Sequence, residues 1–126
     1  MRLLLDTHIL LWAYVDTEKL SVREHVAIGD PGNQIFASVV NLWEIAIKTT
    51  KGQLNAPADL MERVQSNPDL ILLPVLAEHA WRVRTLPRLH GDPFDHLLVA
   101  QAQCENLTVV TRDAWIGRYG VAVFAA

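Results

Sequence analysis

The sequence predicts an α/β protein, a three-layer α/β/α sandwich around a central, mainly parallel sheet. Three observations lead there. Short apolar runs such as Leu3-Leu4-Leu5 and Leu107-Thr108-Val109-Val110-Thr111 alternate with longer stretches of helical period. Strands separated by helices pair in parallel through right-handed crossovers. The strand candidates are continuous apolar runs, as expected when helices cover both faces of a sheet.

In chain order, residues 2–6 read as a buried strand and 7–14 as a short helix. A second helix, 21–29, starts behind the cap candidate Ser21. The cluster Gly29-Asp30-Pro31-Gly32-Asn33 is a surface turn. Gln34 to Ala37 is a strand, and Ser38 caps a helix from Val39 to Thr50 that Gly52 stops. Pro57 suits the first turn of a helix over 57–66. Leu70 to Leu73 is a strand, and Ala77 to Thr85 is a helix ended by Pro87. Pro93 opens a helix running to about Asn106, and strands come next at Leu107 to Thr111 and Val121 to Phe124.

A chain of 126 residues, 51% hydrophobic, forms one domain over 1–126 with a real core. The single cysteine, Cys104, makes no internal disulfide and fits a reducing compartment. Asp6 and His8 interrupt the first apolar run, so it reads as neither a signal peptide nor a membrane span. A soluble, cytoplasmic protein is expected. The net charge of −3 argues against gripping nucleic acid by bulk charge. Basic spots occur at Arg82, Arg84, Arg88 and His90, at Lys48 and Lys51, and at Arg112 and Arg118. The four tryptophans, Trp12, Trp43, Trp81 and Trp115, are mostly core candidates, although an exposed one could anchor a partner.

Four acids stand where this fold would bring them together: Asp6 after the first strand, Glu44 within a helix, Asp95 in a first helical turn, and Asp113 after a strand. Ligands of open α/β sheets bind outside the carboxyl ends of the strands. Carboxylates in apolar surroundings need protonation, partners or a cation. An oxygen-lined site of this kind suits Mg²⁺ or Mn²⁺ and phosphoryl chemistry. Each acid also has a local reading: Asp6 as a helix cap, Glu44 as a surface partner of Lys48, Asp95 as a complement to the helix dipole, Asp113 as a turn residue. Asp92 is either a helix cap or a fifth acid touching a second metal through water. The histidines lack zinc spacing, and no phosphate-cradling glycine motif or nucleophile elbow occurs.

Asp6-Thr7-His8 with Leu10-Leu11-Trp12 resembles the opening of PIN-domain ribonucleases of the VapC toxin type. Leu42-Trp43-Glu44-Ile45-Ala46-Ile47-Lys48 is similar to their central helix, and Asp92-Pro93-Phe94-Asp95-His96-Leu97-Leu98-Val99-Ala100-Gln101-Ala102 to their most diagnostic stretch. Thr111-Arg112-Asp113 and Tyr119-Gly120-Val121 complete the likeness, which covers essentially the whole chain. The resemblance implies a Mg²⁺- or Mn²⁺-dependent endoribonuclease, a cognate antitoxin and a homodimer. Its metal acids fall on Asp6, Glu44, Asp95 and Asp113. Gly91 and His96 stand where many members carry arginine, and Asn41 where serine is common, but no metal acid is lost.

The expected reaction is phosphodiester hydrolysis leaving a 5′-phosphate and a 3′-hydroxyl. Thr7 and Thr111 are candidates for orienting water, and Lys48 and Arg112 for neutralising substrate phosphates. Three other classes stay open: a metal-free histidine ribonuclease leaving a cyclic phosphate, a nuclease acting on DNA, and a catalytically silent interaction module.

Overall fold

Leu3, Leu4 and Leu5 are each at most 1% exposed, because they form the central strand of the sheet. The computed structural model describes residues 1–125. In it β1 (Arg2–Leu5) lies between β2 (Gln34–Ser38) and β4 (Thr108–Val110). β3 (Leu70–Leu73) and β5 (Val123–Phe124) form the edges, giving the order β3-β2-β1-β4-β5. Every pairing is parallel, as the continuous apolar runs predict.

Alternation along the strands sorts the core into two layers. Leu3 and Leu5, with Ile35, Ala37 and Val110, pack against α1 (Thr7–Val15), α2 (Val22–Gly29) and α4 (Leu60–Ser66). Leu4, Phe36 and Val109 face the opposite way, against α6 (Pro93–Glu105) and α7 (Ala114–Gly117). The register makes this possible: Leu4 is level with Phe36 on one side and Val109 on the other. Burying each such leucine stabilises the fold by about 1.5–3 kcal/mol. The remaining helices are α3 (Val39–Thr50) and α5 (Ala77–Arg82), the latter packed on α6.

Side-chain caps set most helix starts. Ser21 and Glu24 form a reciprocal capping box on α2. Ser38 Oγ accepts from Val40 N to open α3, and Gly52, at φ +70°, turns the chain after its end. Asp92 Oδ1 accepts from the Phe94 and Asp95 amides, with Pro93 at the first helical position of α6.

The structure corrects several expectations. The helix predicted over 57–66 starts only at Leu60, because Pro57 opens a turn in which Leu60 N donates to Pro57 O. The predicted helix Ala77 to Thr85 becomes α5 followed by a 3-10 turn, Val83–Thr85. The strands predicted at Leu107 to Thr111 and Val121 to Phe124 are shorter. α7 and a 3-10 turn at Thr17–Lys19 occupy stretches to which the sequence reading assigns no element. Three tryptophans are not core residues: Trp43, Trp81 and Trp115 are 46%, 69% and 40% exposed. No helix among the described residues is long and apolar enough to cross a membrane.

Candidate active site

From β1 the sheet grows through β2 to β3; the chain then crosses back to β4 and ends at β5. The neighbours β1 and β4 therefore form the topological switch point, where a crevice opens at the strand ends. A cleft of about 490 Å³ lies there, and Asp6, Glu44, Asp92, Asp95 and Asp113 all line it. Thr7, Lys48 and Arg112 line it too, and Thr111 is buried behind Asp6.

Each carboxylate is held by its own local structure. Asp6, 8% exposed, directly follows β1; its Oδ1 accepts from Ile9 N, capping α1, and its Oδ2 accepts from Thr111 Oγ1. Asp113 Oδ1 accepts from Trp115 N and so caps α7. Asp95 Oδ2 accepts from His90 Nε2 at 2.9 Å. Glu44, 6% exposed, accepts from Thr7 Oγ1 at one oxygen and from Lys48 Nζ at the other, each at 2.5 Å. The Glu44–Lys48 pair, expected at the surface, is instead part of the cleft wall, because the carboxylate is buried. Trp43 and Phe94 meet edge to face at 4.6 Å, which ties the Glu44 helix to the Asp95 helix.

Thr7 belongs to a buried chain. Asn41 Nδ2 donates to Thr7 Oγ1, while Asn41 Oδ1 accepts from Ser38 N. Ser38 Oγ donates in turn to Gln101 Oε1. Ser38, Asn41 and Gln101 are fully buried, so their full satisfaction fixes β2, α3, α1 and α6 around Glu44. The hydroxyl protons of Thr7 and Thr111 point to Glu44 and Asp6, so each threonine holds a carboxylate in place.

Arg112 also departs from expectation. Its Nε and Nη2 grip Glu24 in a bidentate pair at 3.1 and 2.5 Å, and Nη2 donates to Lys19 O. The guanidinium lies 4.9 Å from the Trp12 ring centre. These contacts hold Arg112 at the border of the cleft, with 40% of its side chain exposed.

The electrostatics are those of crowded negative charge. Burial pushes the Asp6 carboxyl above its ordinary value against the pull of Thr111. Burial also raises Asp95, to about 6, with the charges of Asp92, Asp113 and Glu44 adding to the effect and His90 opposing it. Burial alone would lower Lys48, but the Glu44 carboxylate, helped by Asp92 and Asp95, raises it. Five carboxylates line the cleft against Lys48, Arg112 and His8, and this oxygen-rich, negatively charged set fits a hard divalent cation. The acids share one cleft, but no three of them bring ligand atoms within 4.8 Å of one another. Among the described residues, the one trio of ligand atoms within 4.8 Å of one another is Glu78, His79 and Glu105. It sits beside the start of β1, where Arg2 Nη1 donates to Glu105 O, and His79 there is fully buried and bonded to Leu76 N and Glu105.

Asp95 also links stability to pH. In a chelator the folded chain keeps a proton on Asp95 up to about pH 6, well above the ordinary 3.8. Folded molecules then bind more protons than unfolded ones, so stability falls as pH rises through that window. Asp95→Asn is expected to flatten this slope and to stabilise the metal-free chain at pH 7.5 by on the order of 1–3 kcal/mol. Thermal melts of both proteins in EDTA at pH 4.5 and 7.5 check it.

The five-stranded parallel sheet with an acid-lined cleft at its switch point agrees with the PIN-type fold that the sequence resembles. The chain belongs to the PIN domain family, whose profile matches residues 3–121. No curated protein matches it in sequence. Its fold is similar to that in the structure of VapBC2 from Rickettsia felis bound to a promoter DNA fragment, with 19% identity, a TM-score of 0.74, and 98% of each chain covered. It is also similar to FitAcB from Neisseria gonorrhoeae, with 22% identity, a TM-score of 0.65, and 98% of this chain and 96% of that one covered. A toxin–antitoxin complex from Klebsiella pneumoniae matches at 19% identity and a TM-score of 0.57, over 87% of this chain and 85% of that one.

His90, Tyr119 and Glu24 are the site residues that sequence reading missed. Glu24 had a signal, since Ser21-x-x-Glu24 is a capping-box pattern, but nothing in it pointed to Arg112.

Proposed function

We propose that this chain is a Mg²⁺- or Mn²⁺-dependent endoribonuclease and the toxin partner of a cognate antitoxin. One observation carries the reading: Asp6, Glu44, Asp95 and Asp113, drawn from distant parts of the chain, line one cleft with too little positive charge to balance them. Membership of the PIN family supports nuclease chemistry, and the toxin–antitoxin assemblies among the structural neighbours support an antitoxin partner. A homodimer is proposed on the resemblance alone.

Asp6, Asp95 and Asp113 would hold the cation, with Glu44 completing the set and Asp92 beside them. Bound there, a divalent cation supplies activation of water and neutralisation of phosphoryl charge. The protein's own part is positional. Thr111 and the Ile9 amide fix Asp6, and His90 fixes Asp95. Thr7 and Lys48 hold Glu44. The Lys48 ammonium, kept charged by its acidic neighbours, faces the cleft and would meet a substrate phosphate. Arg112 serves this site by holding its wall rather than by contacting RNA.

The test is cleavage of an RNA pool by the purified chain in Mn²⁺ or Mg²⁺, with EDTA as control and chemical typing of the new ends. Metal-dependent cuts carrying 5′-phosphates are expected. Cyclic phosphates, or activity that persists in EDTA, would refute the hydrolytic metal reading. Equal cutting of single-stranded DNA would move the substrate class. In a parallel melt, Mn²⁺ at 100 times its dissociation constant is expected to stabilise the chain by about 2.7 kcal/mol. An unchanged melt would remove the cation from the reading.

A further inference from the structure

His90 lies in the loop before α6 and bridges two parts of the cleft wall. Its Nε2 is 2.9 Å from Asp95 Oδ2, and its Nδ1 is 2.5 Å from Tyr119 Oη. A carboxylate oxygen only accepts, so Nε2 carries a proton toward Asp95, while Nδ1 meets the Tyr119 hydroxyl, which can both donate and accept. The Tyr119 oxygen lies 3.1 Å from His96 Nε2, which also reaches His90 O at 2.8 Å. His90 and His96 thus both meet the Tyr119 hydroxyl, and His90 links that hydroxyl to Asp95.

The ring is clamped as well as bonded. Trp115 stacks on it at 5.3 Å with the planes only 4° apart, and His96 meets its edge at 5.1 Å. Trp115 belongs to α7, the helix that Asp113 caps. The same ring thus contacts Asp95 directly and the Asp113 helix through Trp115. Tyr119, 5% exposed, is anchored in the apolar layer with Leu98 and Ile116, so the far end of the chain is fixed in the core.

We propose that His90, held at its far nitrogen by Tyr119, is a positioning residue that sets the Asp95 carboxylate and its spacing from Asp113 for cation binding. This rests on the functional reading above. His90 holds Oδ2 of Asp95, and among the described residues no side chain or amide donates to Oδ1, which is left for the cleft. Without the Tyr119 hydroxyl the ring loses its hydrogen bond at Nδ1 and is held at the Asp95 end and by stacking alone. Hydrogen-bond partners of metal-ligating groups typically cost about 10–100-fold in metal affinity or activity when removed.

The test measures Mn²⁺ affinity by calorimetry beside RNA cleavage, for the wild type, His90→Ala, His90→Gln and Tyr119→Phe, each checked for folding by circular dichroism. His90→Ala is expected to weaken Mn²⁺ binding about 10–100-fold and to lower kcat with KM for RNA little changed. Tyr119→Phe shifts both in the same direction by less. His90→Gln, whose amide can donate where Nε2 did, recovers much of the affinity. A folded His90→Ala that binds Mn²⁺ within twofold of wild type overturns the inference while leaving the nuclease reading intact. If His90→Ala fails to fold, Tyr119→Phe decides by the same twofold limit. A wild type that neither binds Mn²⁺ nor cuts RNA overturns both.

Discussion

Asp95→Asn is expected to abolish metal-dependent RNA cleavage, by more than the about 10–100-fold that accompanies loss of an outer partner of a metal ligand. The substitution keeps the shape and an oxygen that can accept from His90, so the chain folds. It removes the negative charge that its neighbours already push toward protonation. The same variant should therefore be inactive with Mn²⁺ and more stable without it. That pairing of opposite signs is diagnostic: a residue kept for stability alone would lose both. Asp6→Asn should behave alike, since asparagine still caps α1 by accepting from Ile9 N. Glu44→Gln should be milder in stability, because Thr7 and Lys48 already occupy both oxygens. Single-turnover cleavage rates, measured with melting temperatures on the same preparations, check the set. Wild-type rates in Asp95→Asn would remove the acid cluster from the chemistry.

Sequence and structure agree best where a residue's role is written in local pattern. The strands were legible because Leu3-Leu4-Leu5 and Val109-Val110 have no polar face. The alternation of strands and helices then implied that Asp6 and Asp113 leave strand ends at one edge of the sheet. Ser38, Ser21 and Asp92 declared themselves as caps by residue type and by the helical stretch that each precedes. The features that escaped notice depend on contacts between distant positions. Arg112 and Glu24 are 88 residues apart, and Tyr119 reaches His90 across 29. No periodicity records either pairing. α7 is only four residues long, too short for a helical period to show. The tryptophans misled because size and apolarity favour burial without requiring it; Trp43 and Trp115 instead brace Phe94 and His90 at the cleft.

Arg112→Leu is expected to destabilise the fold by about 2–4 kcal/mol, a large fraction of the total for a domain this size. Removing one partner of a buried pair costs about 3–5 kcal/mol, and the 40% exposure of the Arg112 side chain reduces that. Glu24 is fully buried and would be left with its capping bonds to Ser21 alone. Burial by itself raises the Glu24 carboxyl, but Arg112 and the Ser21 amide more than offset it and hold it below 4.5. A depressed carboxyl contributes stability that is present above 4.5 and lost as pH falls through its folded value. The gap between wild type and Arg112→Leu should therefore be widest near neutrality and shrink on acidification, the reverse of the Asp95 trend. A gap that stayed constant with pH would assign the loss to packing against Trp12 rather than to charge. Arg112→Lys separates structure from substrate binding. Lysine keeps the charge but loses the two-pronged grip, so a structural Arg112 predicts a lower melting temperature with little change in KM for RNA. An unchanged melting temperature with a raised KM would return Arg112 to the substrate.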